Sequence, residues 1–317
     1  MKAVFLDFAT LGPGLDVSAM QALFPNLNLF DTTDAGQVAE RACDAEFVLI
    51  NKVRLTGEIL KKSPRLRFIG LTATGTDNVD LEAARQCGIA VCNIRAYCTQ
   101  SLVEHVFGCL LNLTHSLGQY NTVVRAGEWQ KSADFCLMAY PIRELSAMTL
   151  GIVGYGNLGK GVADAARAFG MEVIVSARHG AGTVDDGRVA FDEVLLRSDV
   201  ISLHCPLTDA TAGLFGEAEF KNMKSDSILI NTARGGLVDS AALVAALQNG
   251  DIAAAALDVL PQEPPVEGDP LLDYDGPNLM MSPHIAWASN EARQAAVDQL
   301  TACIVAFLAG EELNRVV

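Results

Sequence analysis

Short apolar runs alternate with amphipathic stretches along almost the whole chain. In the first hundred residues, runs at 3–7, 27–30, 47–51, 66–71 and 89–93 have the length of buried strands. Helical periodicity falls between them, at 37–42, 56–62 and 79–87. This alternation predicts a parallel sheet with helices on both faces. The pattern restarts at Met148, with strands predicted at 149–154, 172–176, 200–204, 228–232, 253–258 and 279–282. Residues 99–127 read as one long helix through Leu102, Val106, Leu110 and Leu113, able to bridge two domains. Glu104 and His105 lie on it and suit a charged pair near a cleft, but read by default as a solvated or capped structural pair. Residues 128–145 carry Trp129, Phe135, Leu137, Met138 and Tyr140 without periodicity, which predicts packing on a second subunit. The last helical pattern, 289–308, is expected to return to the first domain. The expected organisation is therefore 1–98 plus 286–317, and 99–285 with a dimerisation segment at about 118–145.

Residues 150–159, LGIVGYGNLG, join the first strand of the second sheet to its first helix. Gly154, Gly156 and Gly159 make a G-x-G-x-x-G. The first glycine suits the tight turn, the second lets a pyrophosphate approach the backbone, and the third lets helix and strand pack closely. The helix N-terminus offers free N–H groups and a positive dipole end. A lone G-x-G-x-x-G is weak, but the strand before it and the amphipathic 157–169 after it supply the context that dinucleotide binding needs. The fold class is α/β, with two doubly wound parallel-sheet domains: a flavodoxin-like substrate domain and a Rossmann cofactor domain.

Composition narrows the partners. The net charge of −15 comes without a basic run, which argues against a nucleic-acid groove or an anionic membrane surface. The apolar run of MKAVFLDF is too short for a signal peptide, and no segment has the length of a membrane span, so a cytoplasmic protein is expected. None of the eight cysteines forms a C-x-x-C pair, so they read as free thiols in a reducing compartment. The five histidines are scattered, and no metal site is expected.

Candidate chemistry gathers at strand ends. Arg234, Glu263 and His284 follow the last three predicted strands. An arginine holds a carboxylate and polarises the adjacent carbonyl, a histidine donates a proton to its oxygen, and a carboxylate fixes the histidine's tautomer. Taken singly, each also reads as a surface, loop or turn residue; together they point to one crevice. In the first domain, 51–53 and 72–76 are loops at carboxyl ends of strands. The backbone of the second suits a carboxylate, although Gly75–Thr76–Asp77 reads equally well as a turn before a capped helix.

At these residues the chain resembles the D-2-hydroxyacid dehydrogenase family. The matching segments are 151–159, 204–211 (HCPLTDAT), 228–239 (ILINTARGGLVD), 256–265 (ALDVLPQEPP) and 282–289 (SPHIAWAS), with 72–80 (TATGTDNVD) and 101–105 (SLVEH). Segments 135–145 and 282–289 are most similar to the glycerate dehydrogenase or hydroxypyruvate reductase group. The resemblance implies that Arg234 binds the substrate carboxylate and keto oxygen. It implies that His284 is the acid–base catalyst and that Glu263 orients it and raises its proton affinity. Asn157 and Leu158 would cover the pyrophosphate, and His204, Cys205 and Pro206 would line the adenosine side. Thr232, Ala233 and Asp258 would reach the nicotinamide end, with Asp258 accepting from the carboxamide. Lys52 and the backbone of Ala73, Thr74 and Gly75 would hold the substrate carboxylate, and the assembly would be a homodimer.

One position departs from the family pattern. NAD-dependent members carry an acid at the end of the second strand, and here Ala177 stands there, followed by Arg178. Without the acid a ribose phosphate is not repelled, and Arg178 is suited to pair with it. NADP(H) is therefore the expected preference, with NAD(H) possible if Arg178 only stacks on adenine. The expected activity is reduction of a small 2-keto acid, hydroxypyruvate or glyoxylate. The alternatives are a D-3-phosphoglycerate dehydrogenase, for which the cations near Lys52 are few, and a dinucleotide-sensing corepressor-like protein.

Overall fold

The computed structural model describes residues 1–180, 184 and 187–317. The chain divides into two compact units, Met1–Cys98 with Trp287–Val317, and Thr99–Ala286. In the first, strands β1 (Ala3–Phe5), β2 (Asn28–Leu29), β3 (Phe47–Ile50), β4 (Phe68–Leu71) and β5 (Ala90–Cys92) pair in parallel in the order β2-β1-β3-β4-β5. Helices α1 (Ser18–Leu23), α2 (Val38–Ala42), α3 (Gly57–Lys61) and α4 (Leu81–Gln86) lie between strands in sequence. Strands β1, β3, β4 and β5 are buried at every position because both faces are covered, whereas β2 at the sheet edge exposes Asn28. Val4, Val48, Ile69 and Val91 enter one core cluster, and Phe5, Leu49, Phe68 and Cys92 the other. Val297, Leu300 and Ile304 of the C-terminal helix, Asn290–Ala309, pack in the second cluster. The hydrophobic pattern marks no element at α1, which has six residues and buries only Met20, too little for a helical period to show.

The second unit opens with α5 (Thr99–His115) and α6 (Leu117–Arg125). The single long helix expected here is broken at Ser116, whose φ of 52° and ψ of 35° are left-handed. The physical reason for the two behaviours is burial. Helix α5 buries Leu102, Val106, Phe107 and Leu110 in a core, whereas α6 buries nothing, so tertiary packing does not carry the helix axis past Ser116. Residues 128–145 then run irregularly, apart from short 3-10 turns, with Phe135 94% and Met138 84% exposed.

A six-stranded parallel sheet follows: β6 (Thr149–Val153), β7 (Glu172–Val175), β8 (Val200–Leu203), β9 (Ile228–Asn231), β10 (Ala254–Leu257) and β11 (Leu279–Met281). Its helices are α7 (Asn157–Ala168), α8 (Phe191–Arg197), α9 (Glu217–Asn222) and α10 (Ser240–Asn249). The order β11-β10-β9-β8-β6-β7 puts β6 between β7 and β8, so the winding reverses beside β6. Ligands of such sheets bind at the carboxyl edge, at that reversal. Alternate residues face opposite cores: Ile201, Leu229 and Ala255 one way, Val200, Ile228 and Ala254 the other.

Candidate active site

The carboxyl edge of the second sheet is built from turns that leave little freedom. Gly154 has a φ of 98°, and a Cβ on it would lie 2.4 Å from the Cys205 nitrogen. A Cβ on Gly159 would lie 2.1 Å from the Gly154 oxygen. The chain's own packing therefore requires these two glycines. Gly156, the N-cap of α7, has nothing within 4 Å of a Cβ position. The first N–H groups of a helix, here those of Asn157 and Leu158, have no carbonyl partner within the helix, and with the room at Gly156 they fit a pyrophosphate. His204, after β8, places Nε2 2.9 Å from Ser202 Oγ. Burial pushes its imidazole down to a pKa of about 4, so the ring is neutral at neutral pH.

The end of β7 lacks a carboxylate. Ala177 is buried and its N–H donates to the Val189 carbonyl at 2.7 Å. Arg178 follows, exposed. Arg188, which sequence reading passes over, donates from Nη1 to the Ser176 carbonyl at 3.0 Å. Its proximity depends on the parallel bridge of Ser176 with Val189, which local sequence does not announce.

Arg234, Glu263 and His284 follow β9, β10 and β11, which are neighbours in the sheet. Arg234 donates from Nη1 to the Ala233 carbonyl at 2.8 Å, and its own carbonyl accepts from Asn231 Nδ2 at 2.9 Å. A Cβ on Gly235 would lie 1.9 Å from the Leu260 carbonyl carbon, so the chain after Arg234 runs directly against the start of the loop that carries Glu263. Glu263 Oε1 accepts the Leu260 N–H at 3.0 Å, and Oε2 lies 2.6 Å from His284 Nδ1. A carboxylate only accepts, so Nδ1 carries the proton and Nε2 is left for other partners. His284 sits at a φ of 56°, with its N–H on the Asp258 carbonyl at 2.7 Å.

Asp258 is 1% exposed in its side chain. Its carboxylate accepts from Ser282 Oγ, the Ile285 N–H and the Ala286 N–H at 2.6, 2.9 and 2.8 Å. A carboxamide would have to share oxygens that already take three hydrogen bonds. Of the pair expected to be solvated or capped, His105 is partly buried, with its Nε2 3.0 Å from Ser282 Oγ. Glu104 does face solvent, accepting from Gln100 at 2.9 Å.

In the first unit, the buried Asp7 carboxylate accepts backbone N–H groups of Asn51, Lys52 and Val53 at 2.9, 2.5 and 2.9 Å. Asn78 Nδ2 donates to the Val53 carbonyl at 2.9 Å. The loop that presents Lys52 is thus tied down, and Lys52 Nζ lies 5.6 Å from the Trp287 ring centre. The Ala73 and Thr74 carbonyls accept from Ile94 N and Asn93 Nδ2 at 3.2 and 2.7 Å, holding the loop that contains Gly75.

Residues 107–286 match the model of the D-isomer specific 2-hydroxyacid dehydrogenase NAD-binding domain. The chain belongs to the D-2-hydroxyacid dehydrogenase family. It is 44% identical over 317 residues to the glycerate dehydrogenase of Methylorubrum extorquens, covering 99% of this chain and 98% of that one. It superimposes on an acyclic imino acid reductase bound to NADPH and D-Arg with a TM-score of 0.87 and 27% identity, over 100% of both chains. The D-lactate dehydrogenase of Aquifex aeolicus, bound to NAD and lactic acid, gives a TM-score of 0.82 and 30% identity, over 98% of this chain and 96% of that one. As a D-2-hydroxyacid dehydrogenase, the chain is an NAD(P)-dependent oxidoreductase acting between 2-hydroxy and 2-keto acids. Among the described residues no helix is long and apolar enough to cross a membrane.

Proposed function

We propose that this dehydrogenase reduces hydroxypyruvate or glyoxylate to D-glycerate or glycolate, preferring NADPH and accepting NADH. The observation that carries the chemistry is the pair of His284 and Glu263 at 2.6 Å, which fixes the tautomer and leaves Nε2 toward a substrate. The bound nicotinamide supplies the hydride to the keto carbon. His284 Nε2 delivers the proton to the keto oxygen, and Glu263 keeps the ring in register. Arg234 holds the substrate carboxylate and polarises the carbonyl. Lys52 and the N–H groups of Ala73, Thr74 and Gly75 are assigned as further carboxylate contacts.

The choice of a small hydroxylated or unsubstituted keto acid rests on the likeness to the glycerate dehydrogenase. The cofactor preference rests on Ala177 in place of an acid, with Arg178 beside it and Arg188 anchored on Ser176. Thr232, Ala233 and Asp258 are assigned to the nicotinamide end, and His204, Cys205 and Pro206 to the adenosine side. The exposed Phe135 and Met138 support a homodimer built on the segment before β6. Steady-state specificity constants for hydroxypyruvate, glyoxylate and pyruvate test the substrate reading. Either of the first two should exceed pyruvate by at least about tenfold; a preference for pyruvate overturns it.

A further inference from the structure

Helix α5 grips the segment that carries His284 at two points. Ser101 Oγ donates to the Ala286 carbonyl at 2.8 Å. One helical turn later, His105 Nε2 lies 3.0 Å from Ser282 Oγ. Residues four apart share a helix face, so both contacts come from one side of α5. The helix is held in place by the burial of Leu102 and Val106, on the neighbouring face, in the core of the unit.

The direction of the second contact follows from proton counting. Ser282 has one hydroxyl proton, and it is donated to Asp258 Oδ1 at 2.6 Å. A carboxylate oxygen has no proton to return. Ser282 Oγ therefore accepts, and His105 Nε2 donates. The chain of donors runs His105 to Ser282 to Asp258. Asp258 in turn receives the N–H groups of Ile285 and Ala286 on its carboxylate and that of His284 on its carbonyl. Every backbone N–H of residues 284–286 thus ends on this one aspartate. His284 itself sits at a φ of 56°, a left-handed conformation that a non-glycine residue keeps only when its surroundings hold it.

We propose that His105 is a positioning residue of the reaction: through Ser282 it fixes Asp258, and through Asp258 it fixes the backbone from which His284 reaches its substrate. This rests on the reading of His284 as the acid–base group. Loss of the His105 N–H leaves Ser282 free to rotate and loosens the Asp258 carboxylate. The cost falls on alignment in the transition state rather than on substrate binding, because the Arg234 loop that holds the substrate carboxylate lies on another strand end.

The test compares His105→Leu, Ser282→Ala, the double variant, His105→Gln and His284→Ala in the full-length enzyme, with hydroxypyruvate and NADPH. For His105→Leu and Ser282→Ala, kcat per folded molecule should fall about tenfold while the KM for hydroxypyruvate stays within about twofold. The double variant should fall no further, because the two act in one chain. His105→Gln, which keeps an N–H donor near the Nε2 position, should recover most of kcat. Urea denaturation of each variant measures the folded fraction. Full kcat with only a lower denaturation midpoint, or additive losses in the double variant, overturns the proposal. If His284→Ala abolishes turnover while His105→Leu keeps full kcat, the positioning role alone fails. If His284→Ala retains turnover, the acid–base reading fails and takes the positioning role with it.

Discussion

Glu263 Oε2 sits 2.6 Å from Nδ1 of His284, so a carboxylate and an imidazole twenty-one positions apart share one proton position. The carboxylate is itself held by the Leu260 N–H. Glu263→Gln can present its NH2 instead of an oxygen to Nδ1, which turns the ring's proton to Nε2 or rotates the ring. We expect kcat to fall by about 10²-fold, with a smaller change in KM. His284→Ala should fall further, with cofactor binding retained by fluorescence titration. Unchanged turnover in either variant contradicts the assigned roles.

Cofactor choice is predicted to reside at the end of β7. Arg188→Ala should lower kcat/KM for NADPH by about tenfold or more, the worth of a charged hydrogen bond, and leave NADH nearly unaffected. Ala177→Asp should move preference toward NADH by introducing repulsion against a 2′-phosphate. Equal losses for both cofactors in Arg188→Ala mean that the arginine only supports the strand through Ser176.

Gly235 is a stability position next to a functional one. A Cβ there would be 1.9 Å from the backbone of Leu260, which cannot yield without moving the loop leading to Glu263. Gly235→Ala should destabilise the protein by about 3 kcal/mol or more, read from urea midpoints, and should lower kcat as well. A neutral substitution contradicts the close approach.

Acid stability has two stages with stated signs. His204 has its folded pKa pushed by burial from 6.5 down to about 4, so the unfolded chain takes up the proton first. Its stabilising contribution is complete above about pH 6.5 and is lost as pH falls towards 4. Asp199 titrates lower. Burial raises its pKa, but the Thr149 N–H, Lys224 and Arg143 outweigh it and hold the carboxyl below 3.8. Its contribution is lost only as pH falls below that value. Urea midpoints across this range should drop in the first stage for the native chain and flatten there in His204→Asn. An unchanged profile in that variant contradicts the burial of a neutral ring.

The sheet-forming segments were legible because strands covered on both faces are continuous apolar runs, and the turns between them carry glycines where the chain passes close to itself, as at Gly154 and Gly159. The placement of Arg234, Glu263 and His284 at adjacent strand ends follows from that same periodicity. Ser116 was not legible, since a single left-handed residue interrupts a helix without interrupting its hydrophobic pattern. His105 was not legible either: its partner Ser282 is 177 residues away, and nothing local to 101–105 distinguishes a partly buried donor from a solvated one. Arg188 was hidden in the same way, brought to Ser176 by a bridge rather than by spacing.

The central claim is reduction of hydroxypyruvate by hydride from the cofactor and a proton from His284. One measurement tests it most directly: NADPH oxidation followed by its absorbance with hydroxypyruvate, the product then resolved by chiral chromatography. The account predicts one D-glycerate for each NADPH consumed. No consumption of NADPH, or L-glycerate as the product, contradicts it.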